Sequence, residues 1–174
     1  MKKRFSIMLY LLLTVTLMAC NASASENSSP NDAPGIIGYV MEKEDDRILV
    51  IDPEAQDFSE TGGVSEYYNA IWFNNAPKDI GIGEKVKVWY DYTRDSYPAQ
   101  SEVMYIEVIP SQKPEGVNLT EGEALYKALT SQLLNTDSII VVKTIEYKKE
   151  TDKWDIKLKE IWSDILHDVE VDDR

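Results

Sequence analysis

From Gly35 to Pro110 short apolar runs alternate with polar breaks that carry Gly or Pro. Gly35-Ile36-Ile37-Gly38-Tyr39-Val40-Met41 leads into the charged turn Glu44-Asp45-Asp46. Arg47-Ile48-Leu49-Val50-Ile51 follows and ends at Asp52-Pro53, where proline cannot donate to a strand ladder. The pair reads as a hairpin. A polar loop from Asp57 to Ser65 precedes Tyr68-Asn69-Ala70-Ile71-Trp72-Phe73, which Asn74-Asn75-Ala76-Pro77 breaks. In Lys85-Val86-Lys87-Val88-Trp89-Tyr90, Val86, Val88 and Tyr90 alternate with Lys85, Lys87 and Trp89, the period of a half-buried strand. Glu102 to Ile109 is the last segment, closed by Pro110. Five short strands with no helix-period segment among them predict a small five-stranded antiparallel barrel over residues 35–110.

After Pro110 the pattern changes. Ser111 to Gly116 is polar and holds Pro and Gly, so residues 111–118 read as a linker. Thr120 and Glu123 form a capping box, in which each side chain satisfies an amide left free at a helix start. Leu125, Ala128, Leu129 and Leu133 then recur at helical spacing, with Asn135 as the stop. Ser138 to Ile145 and Trp154 to Leu158 predict two strands joined by the charged turn Lys148 to Lys153. A helix and a hairpin are too small for a core of their own. The fold class expected is therefore mainly β, a barrel with an α+β appendage over residues 119–174 that ends in a helical or frayed acidic tail.

The amino terminus is of another kind. Lys2, Lys3 and Arg4 precede an uncharged run from Phe5 to Ala19. That layout is a secretory signal peptide over residues 1–19. As a helix the run reaches only roughly 22 Å at 1.5 Å per residue, short of a hydrocarbon core of about 30 Å. Its end, Leu17-Met18-Ala19-Cys20, resembles a lipobox, which implies cleavage between Ala19 and Cys20 and a diacylglyceryl thioether on Cys20. Cys20 is the single cysteine, so no intramolecular disulfide competes for it. Residues 20–34 are rich in Ser, Asn, Ala and Pro and read as a flexible tether, with a reach of roughly 20 Å. These features place the chain on the extracytoplasmic face of a cell membrane, held by lipid, in a Gram-positive-type bacterium.

Charge narrows the partners. The whole chain carries 31 acids against 18 cations, a formal −13, and three of those cations lie in the leader, which makes the mature part −16. Such a field repels nucleic-acid phosphates, so no nucleic-acid partner is expected.

Several segments together resemble the YobA-like lipoproteins of Bacillus and relatives, a domain-of-unknown-function family. They are Gly38-Tyr39-Val40, Arg47-Ile48-Leu49-Val50-Ile51, Ala70-Ile71-Trp72-Phe73, Gly83-Glu84-Lys85-Val86-Lys87-Val88 and Ser96-Tyr97-Pro98-Ala99-Gln100. The resemblance covers the leader and roughly Gly35 to Ile109, and implies location and fold but no activity. The Ile82-Gly83-Glu84-Lys85-Val86-Lys87-Val88 entry also resembles the equivalent strand of oligonucleotide/oligosaccharide-binding (OB-like) barrels, which by itself says nothing of ligand.

No catalytic constellation stands out. The single histidine, His167, cannot build a triad or a multi-His metal site. No Gly-rich phosphate loop, Cys pair or nucleophile elbow is present, and no metal or other cofactor is expected. The expectation is a binding or interaction module rather than an enzyme, taking an envelope protein, peptide or cell-wall ligand. The alternative is a carboxylate-dependent envelope hydrolase, or an accessory subunit of one, since such chemistry needs only two acids.

Aromatic side chains are the binding candidates. Tyr67, Tyr68, Trp72, Trp89, Tyr90, Tyr92 and Tyr97 fall in the third and fourth strands and the loops beside them. Most serve as core or sheet cover, because aromatics favour strands. Ser96, Tyr97, Tyr92 and Trp72 are the candidate ligand contacts. Tyr97 stands out because it lies on a turn directly before Pro98, where it either presents a rigid ring to a ligand or folds back to cap the barrel.

Cys20→Ser is expected to abolish acylation, because a serine hydroxyl does not replace the thiolate in forming the thioether. Metabolic labelling with a radioactive fatty acid checks this: the variant should run as an unlabelled precursor or appear in the medium. Labelled mature protein from it would overturn the lipid anchor.

Overall fold

A computed structural model describes residues 30–131, 134 and 137–174. The leader, Cys20 and most of the tether lie outside the described residues, as do Leu133 and Asn135. Among the described residues no helix is long and apolar enough to cross a membrane. The fold is mainly β, with two sheets and one α-helix among those residues.

Six strands build the first sheet: β1 (Ile36–Glu44), β2 (Arg47–Ile51), β3 (Ala70–Asn74), β4 (Lys85–Trp89), β5 (Ala99–Glu102) and β6 (Tyr105–Ile109). Their order is β5-β3-β2-β1-β4-β6. β1 and β2 form the expected hairpin, with Glu44 opposite Arg47. The tight turn puts Asp45 at φ 52°, a left-handed conformation that short polar side chains tolerate.

A continuous antiparallel barrel of five strands is not what forms. The ladder ends at β5 and β6, and β5 runs parallel to β3. The cause lies in the expected fifth strand, whose backbone changes partner within two residues. The Val103 amide donates to Asn74 O at 3.0 Å, extending the β3 pairing, and the Met104 amide donates to Trp89 O at 3.0 Å, beginning the β4 pairing.

Alternation along β2 and β3 sends side chains into two different cores. Ile48, Val50, Ile71 and Phe73 pack with Ile36, Val40, Val86 and Val88 on one face. Leu49, Ile51 and Ala70 join Tyr39 and Met41 on the other. A strand buried on both faces reads as an unbroken apolar run, which is why Ile48-Leu49-Val50-Ile51 shows no alternation.

The second core is completed by the C-terminal part. Helix α1 (Glu121–Leu129) starts at the expected capping box, with Thr120 accepting from the Glu123 amide and the Glu123 carboxylate accepting from the Thr120 amide. It ends four residues before Leu133, earlier than its apolar spacing suggests. Thr130 and Ser131 hydroxyls donate to the carbonyls of Tyr126 and Ala128, and such local bonds compete with further helix. Strands β7 (Ile140–Lys148), β8 (Lys153–Glu160) and β9 (Leu166–Asp172) form an antiparallel sheet in that order. Leu125, Ala128, Val142, Trp154, Ile156, Leu158, Val169 and Val171 from these elements pack against Leu49 and Ile51.

β9 corrects the reading of a helical or frayed tail. Val169 and Val171 point inward while Asp168, Glu170 and Asp172 face out, so the alternation is that of a strand and the acids are its solvent side. The C-terminus is also tied down. The buried Asp173 carboxylate accepts from the amides of Asn118 (2.6 Å) and Leu119 (2.8 Å), fixing the linker to the end of β9. Burial alone would raise its pKa, but these donors, with the Trp154 indole, hold it below the ordinary carboxylate value.

Leu125→Ala is expected to cost about 3 kcal/mol, the usual range for emptying a fully buried leucine site. Because Leu125 shares its core with β2, urea melts followed by far-UV dichroism and by tryptophan fluorescence should shift together. Loss of only one of two separate transitions would show the two sheets unfold independently.

Candidate ligand-binding cleft

Where the loop before β3 and the turn before β5 approach the β8–β9 turn, a cleft of about 300 Å³ opens. It is lined by Val64, Ser65, Glu66, Tyr67, Tyr68, Tyr97, Lys159, Ile161, Trp162, Ser163 and Asp164. One wall is a row of rings in edge contact. Phe58 meets Tyr67 at 5.6 Å between centroids, Tyr67 meets Tyr97 at 5.8 Å, and Tyr97 meets Trp162 at 4.7 Å. The interplanar angles are 69°, 63° and 67°, the edge-to-face geometry that ring quadrupoles favour. Trp162, at the open end, is 69% exposed.

Tyr97 is fixed from below. Its hydroxyl donates to the Tyr68 carbonyl at 2.9 Å, and burial pushes its pKa up to about 12, with Tyr67 adding to the shift. Its ring is half-buried against the second core and still forms cleft wall.

The floor is polar and internally paired. Glu66 accepts from Lys143 at 2.8 Å, lies 2.9 Å from Lys159 Nζ, and accepts from the Tyr68 hydroxyl. Lys143 also donates to the Tyr68 hydroxyl at 2.6 Å. Lys159, only 9% exposed, has its charge matched by the Glu66 carboxylate. Hydrogen bonds from Lys143, then Tyr68, then Lys159 hold the Glu66 pKa down at about 2.

The other sequence candidates fall elsewhere. Ser96 neighbours Tyr97, but its hydroxyl donates to the Pro98 carbonyl at 2.7 Å. Trp72 packs on the outer face of β3 beneath the Arg47 guanidinium, 4.8 Å from the ring centroid. Tyr92 is exposed on the loop after β4, and its carbonyl accepts from Ser101. Neither Trp72 nor Tyr92 lines the cleft. Ala19 and Cys20 lie outside the described residues. Sequence reasoning passed over Trp162, Glu66, Lys143 and Lys159. Trp162 carried a usable signal: a large aromatic inside the polar turn Trp162-Ser163-Asp164 has no core reason to be there.

A larger depression of about 510 Å³ lies on the outer face of the second sheet. Glu146, Asp155 and Glu170 face one another across its three strands. Lys148 pairs with Glu146 at 2.5 Å and Lys153 with Glu170 at 2.6 Å. The first of these lysines holds the Glu146 pKa below its ordinary value.

Comparison with known proteins places the first sheet. A family model described as "Protein of unknown function (DUF3221)" matches residues 37–110, the span from β1 through β6. The uncharacterized protein YobA of Bacillus subtilis (strain 168) is 25% identical over 115 residues, which is 60% of this chain and 95% of YobA. Residues 37–110, less than half of the chain, are thus similar in sequence to this family of unknown function and to YobA. A 1.55 Å crystal structure of YobA from Bacillus subtilis aligns with TM-score 0.34 and 22% identity, covering 47% of this chain and 100% of that one. A solution NMR structure of YobA residues 21–120 aligns with TM-score 0.33 and 19% identity, covering 48% and 88%. The matched span supplies Glu66, Tyr67, Tyr68 and Tyr97 to the cleft, whereas Lys159 and Trp162 come from the region after the match.

Glu66 fixes the sign of an acid effect. Its pKa is depressed on folding, so the stability it contributes is present above the ordinary 4.5 and is lost as pH falls toward about 2. Glu66→Gln should therefore lower the urea midpoint at pH 7, with the gap from the unaltered chain closing between pH 4.5 and 2. A gap independent of pH would show that Glu66 acts there without its charge.

Proposed function

We propose that the chain is a membrane-tethered extracytoplasmic binding module, anchored through a lipid on Cys20, with the aromatic cleft as its contact surface. The observation that carries the cleft is Trp162, 69% exposed yet held edge-on by Tyr97. An indole kept in water at the head of an ordered ring row loses apolar burial that an unliganded fold would recover. Aromatic anchors of this kind dominate the energetics of recognition surfaces. The leader and lipobox-like Leu17-Met18-Ala19-Cys20 support the anchor, and the tether leaves the cleft free to meet an envelope protein, peptide or wall component.

On the same reading the first sheet is OB-like in layout without closing into a barrel. Ala99 to Ile109 acts as one bent strand, exchanging β3 for β4 at Val103-Met104 and so linking the two ends of the sheet. Binding is favoured over hydrolysis by the state of the carboxylates. A glycosidase-type pair keeps one acid protonated by raising its pKa. In the larger depression Lys148 holds the Glu146 pKa below its ordinary value, and in the cleft Lys143 and Lys159 hold Glu66, which supports ionised, structural carboxylates at these two positions.

Trp162→Ala is expected to change stability by less than about 0.5 kcal/mol, as an exposed position should, while removing binding. The check is two-dimensional ¹H–¹⁵N NMR of the full chain in detergent, titrated with muropeptides and with peptides from shed envelope proteins. Indole and amide shifts should centre on Trp162, Tyr97 and Tyr67 and vanish in the variant. Undiminished binding by Trp162→Ala would move the contact surface elsewhere.

A further inference from the structure

The charges around the cleft are not evenly matched. Lys159, in the floor, and Lys143, beside it, share the single Glu66 carboxylate, and Lys143 also donates to the Tyr68 hydroxyl. At the mouth, Asp164 lines the cleft two residues beyond Trp162; Glu60, two residues after Phe58, lies outside the lining at the far end of the ring row. Neither carboxylate has a hydrogen-bond or ion-pair partner among the described residues. Among the described lining residues Asp164 is therefore the charge without a partner, and it is negative, on a chain whose formal charge is already −13. The rings of Tyr97 and Trp162 meet at 67°, so they present a π face as well as an edge, and the face attracts cations.

We infer that the cleft receives a cationic polypeptide segment, an arginine or lysine side chain lying on Trp162 and Tyr97 with its charge toward Asp164. This rests on reading the cleft as the binding surface and names its ligand class. Length favours a polypeptide over a single small cation. The ring row runs on from Trp162 through Tyr97 and Tyr67 to Phe58, with Val64 exposed beside it, more surface than one ammonium group covers. Complementary charge then steers encounter and selects the partner, while the rings supply the contact area.

The test uses the full chain in detergent and three probes: a peptide alternating arginine and leucine, its citrulline counterpart, which has nearly the same shape without the charge, and an uncharged chitin oligosaccharide. The Trp162 indole resonance, assigned by its loss in Trp162→Ala, reports binding. The arginine peptide is expected to bind about tenfold more tightly than the citrulline one, the combined effect of one cation–π contact and one exposed ion pair. Asp164→Asn should reduce that preference to about threefold, the share left to the cation–π contact, while leaving the urea midpoint unchanged. Equal affinity for the two peptides, or an unaltered preference in Asp164→Asn, overturns the cationic class. Binding of the oligosaccharide alone, sensitive to Trp162→Ala, overturns it too but keeps the cleft as a binding surface. No shift of the Trp162 resonance with any probe overturns the cationic class, and binding that ignores Trp162→Ala overturns the cleft reading itself.

Discussion

Strands β1 to β3 carry apolar side chains on both faces, and neither face can be left to water. One face closes on β4 through Val86 and Val88. The other, built from Tyr39, Met41, Leu49, Ile51 and Ala70, has only the C-terminal part to cover it. At about 25 cal/mol per Å² of apolar surface, a face of five such side chains is a large share of any domain's net stability. Docking of α1 and the second sheet on the first sheet therefore follows from the sequence of β2 as much as from that of the C-terminal part. The Asp173 carboxylate, holding the linker amides of Asn118 and Leu119, fixes how the two parts meet.

The cleft is a consequence of that docking. It forms where loops of the first sheet meet the β8–β9 turn of the second and leave a gap that rings only partly fill. Burying Lys159 there costs desolvation, which the Glu66 carboxylate offsets through charge-assisted contact. Lys143, Glu66 and Tyr68 then form a small network whose members satisfy one another, so the polar floor is rigid. Tyr97 links that floor to the exposed Trp162, bonding the Tyr68 carbonyl below and touching the indole above. Under the proposed function, a paired floor, a supported ring and an exposed indole make a preorganised contact surface, which would spare a ligand the cost of ordering it.

Much of this was legible along the chain. The hairpin of β1 and β2, the strands β3 and β4, the capping box of α1 and the hairpin of β7 and β8 all follow from local period and punctuation. Those signals are properties of neighbouring residues, so a sequence carries them without knowing what lies opposite. Tyr97 was also legible, because an aromatic residue before a proline on a polar turn has few local reasons to be there. The acidic end was misread for a related reason. The alternation Val169-Glu170-Val171-Asp172 was present, but the density of acids resembled a solvated tail, and only the inward burial of Val169 and Val171 distinguishes a strand.

The tertiary structure decided what depends on partners distant in the chain. The change of partner at Val103-Met104 divides one apparent strand into β5 and β6, which pair with β3 and β4 at opposite ends of the sheet order. The meeting of Trp162 with Tyr97, and of Lys143 and Lys159 with Glu66, likewise exists only after the second sheet covers the outer face of the first. The sequence by itself determined which residues are apolar, where strands and helix begin, and which side chains each strand offers to each face. Which of those side chains meet was set by close packing of the two sheets, since burial of a shared apolar face is non-directional and only shape and paired charge select the arrangement.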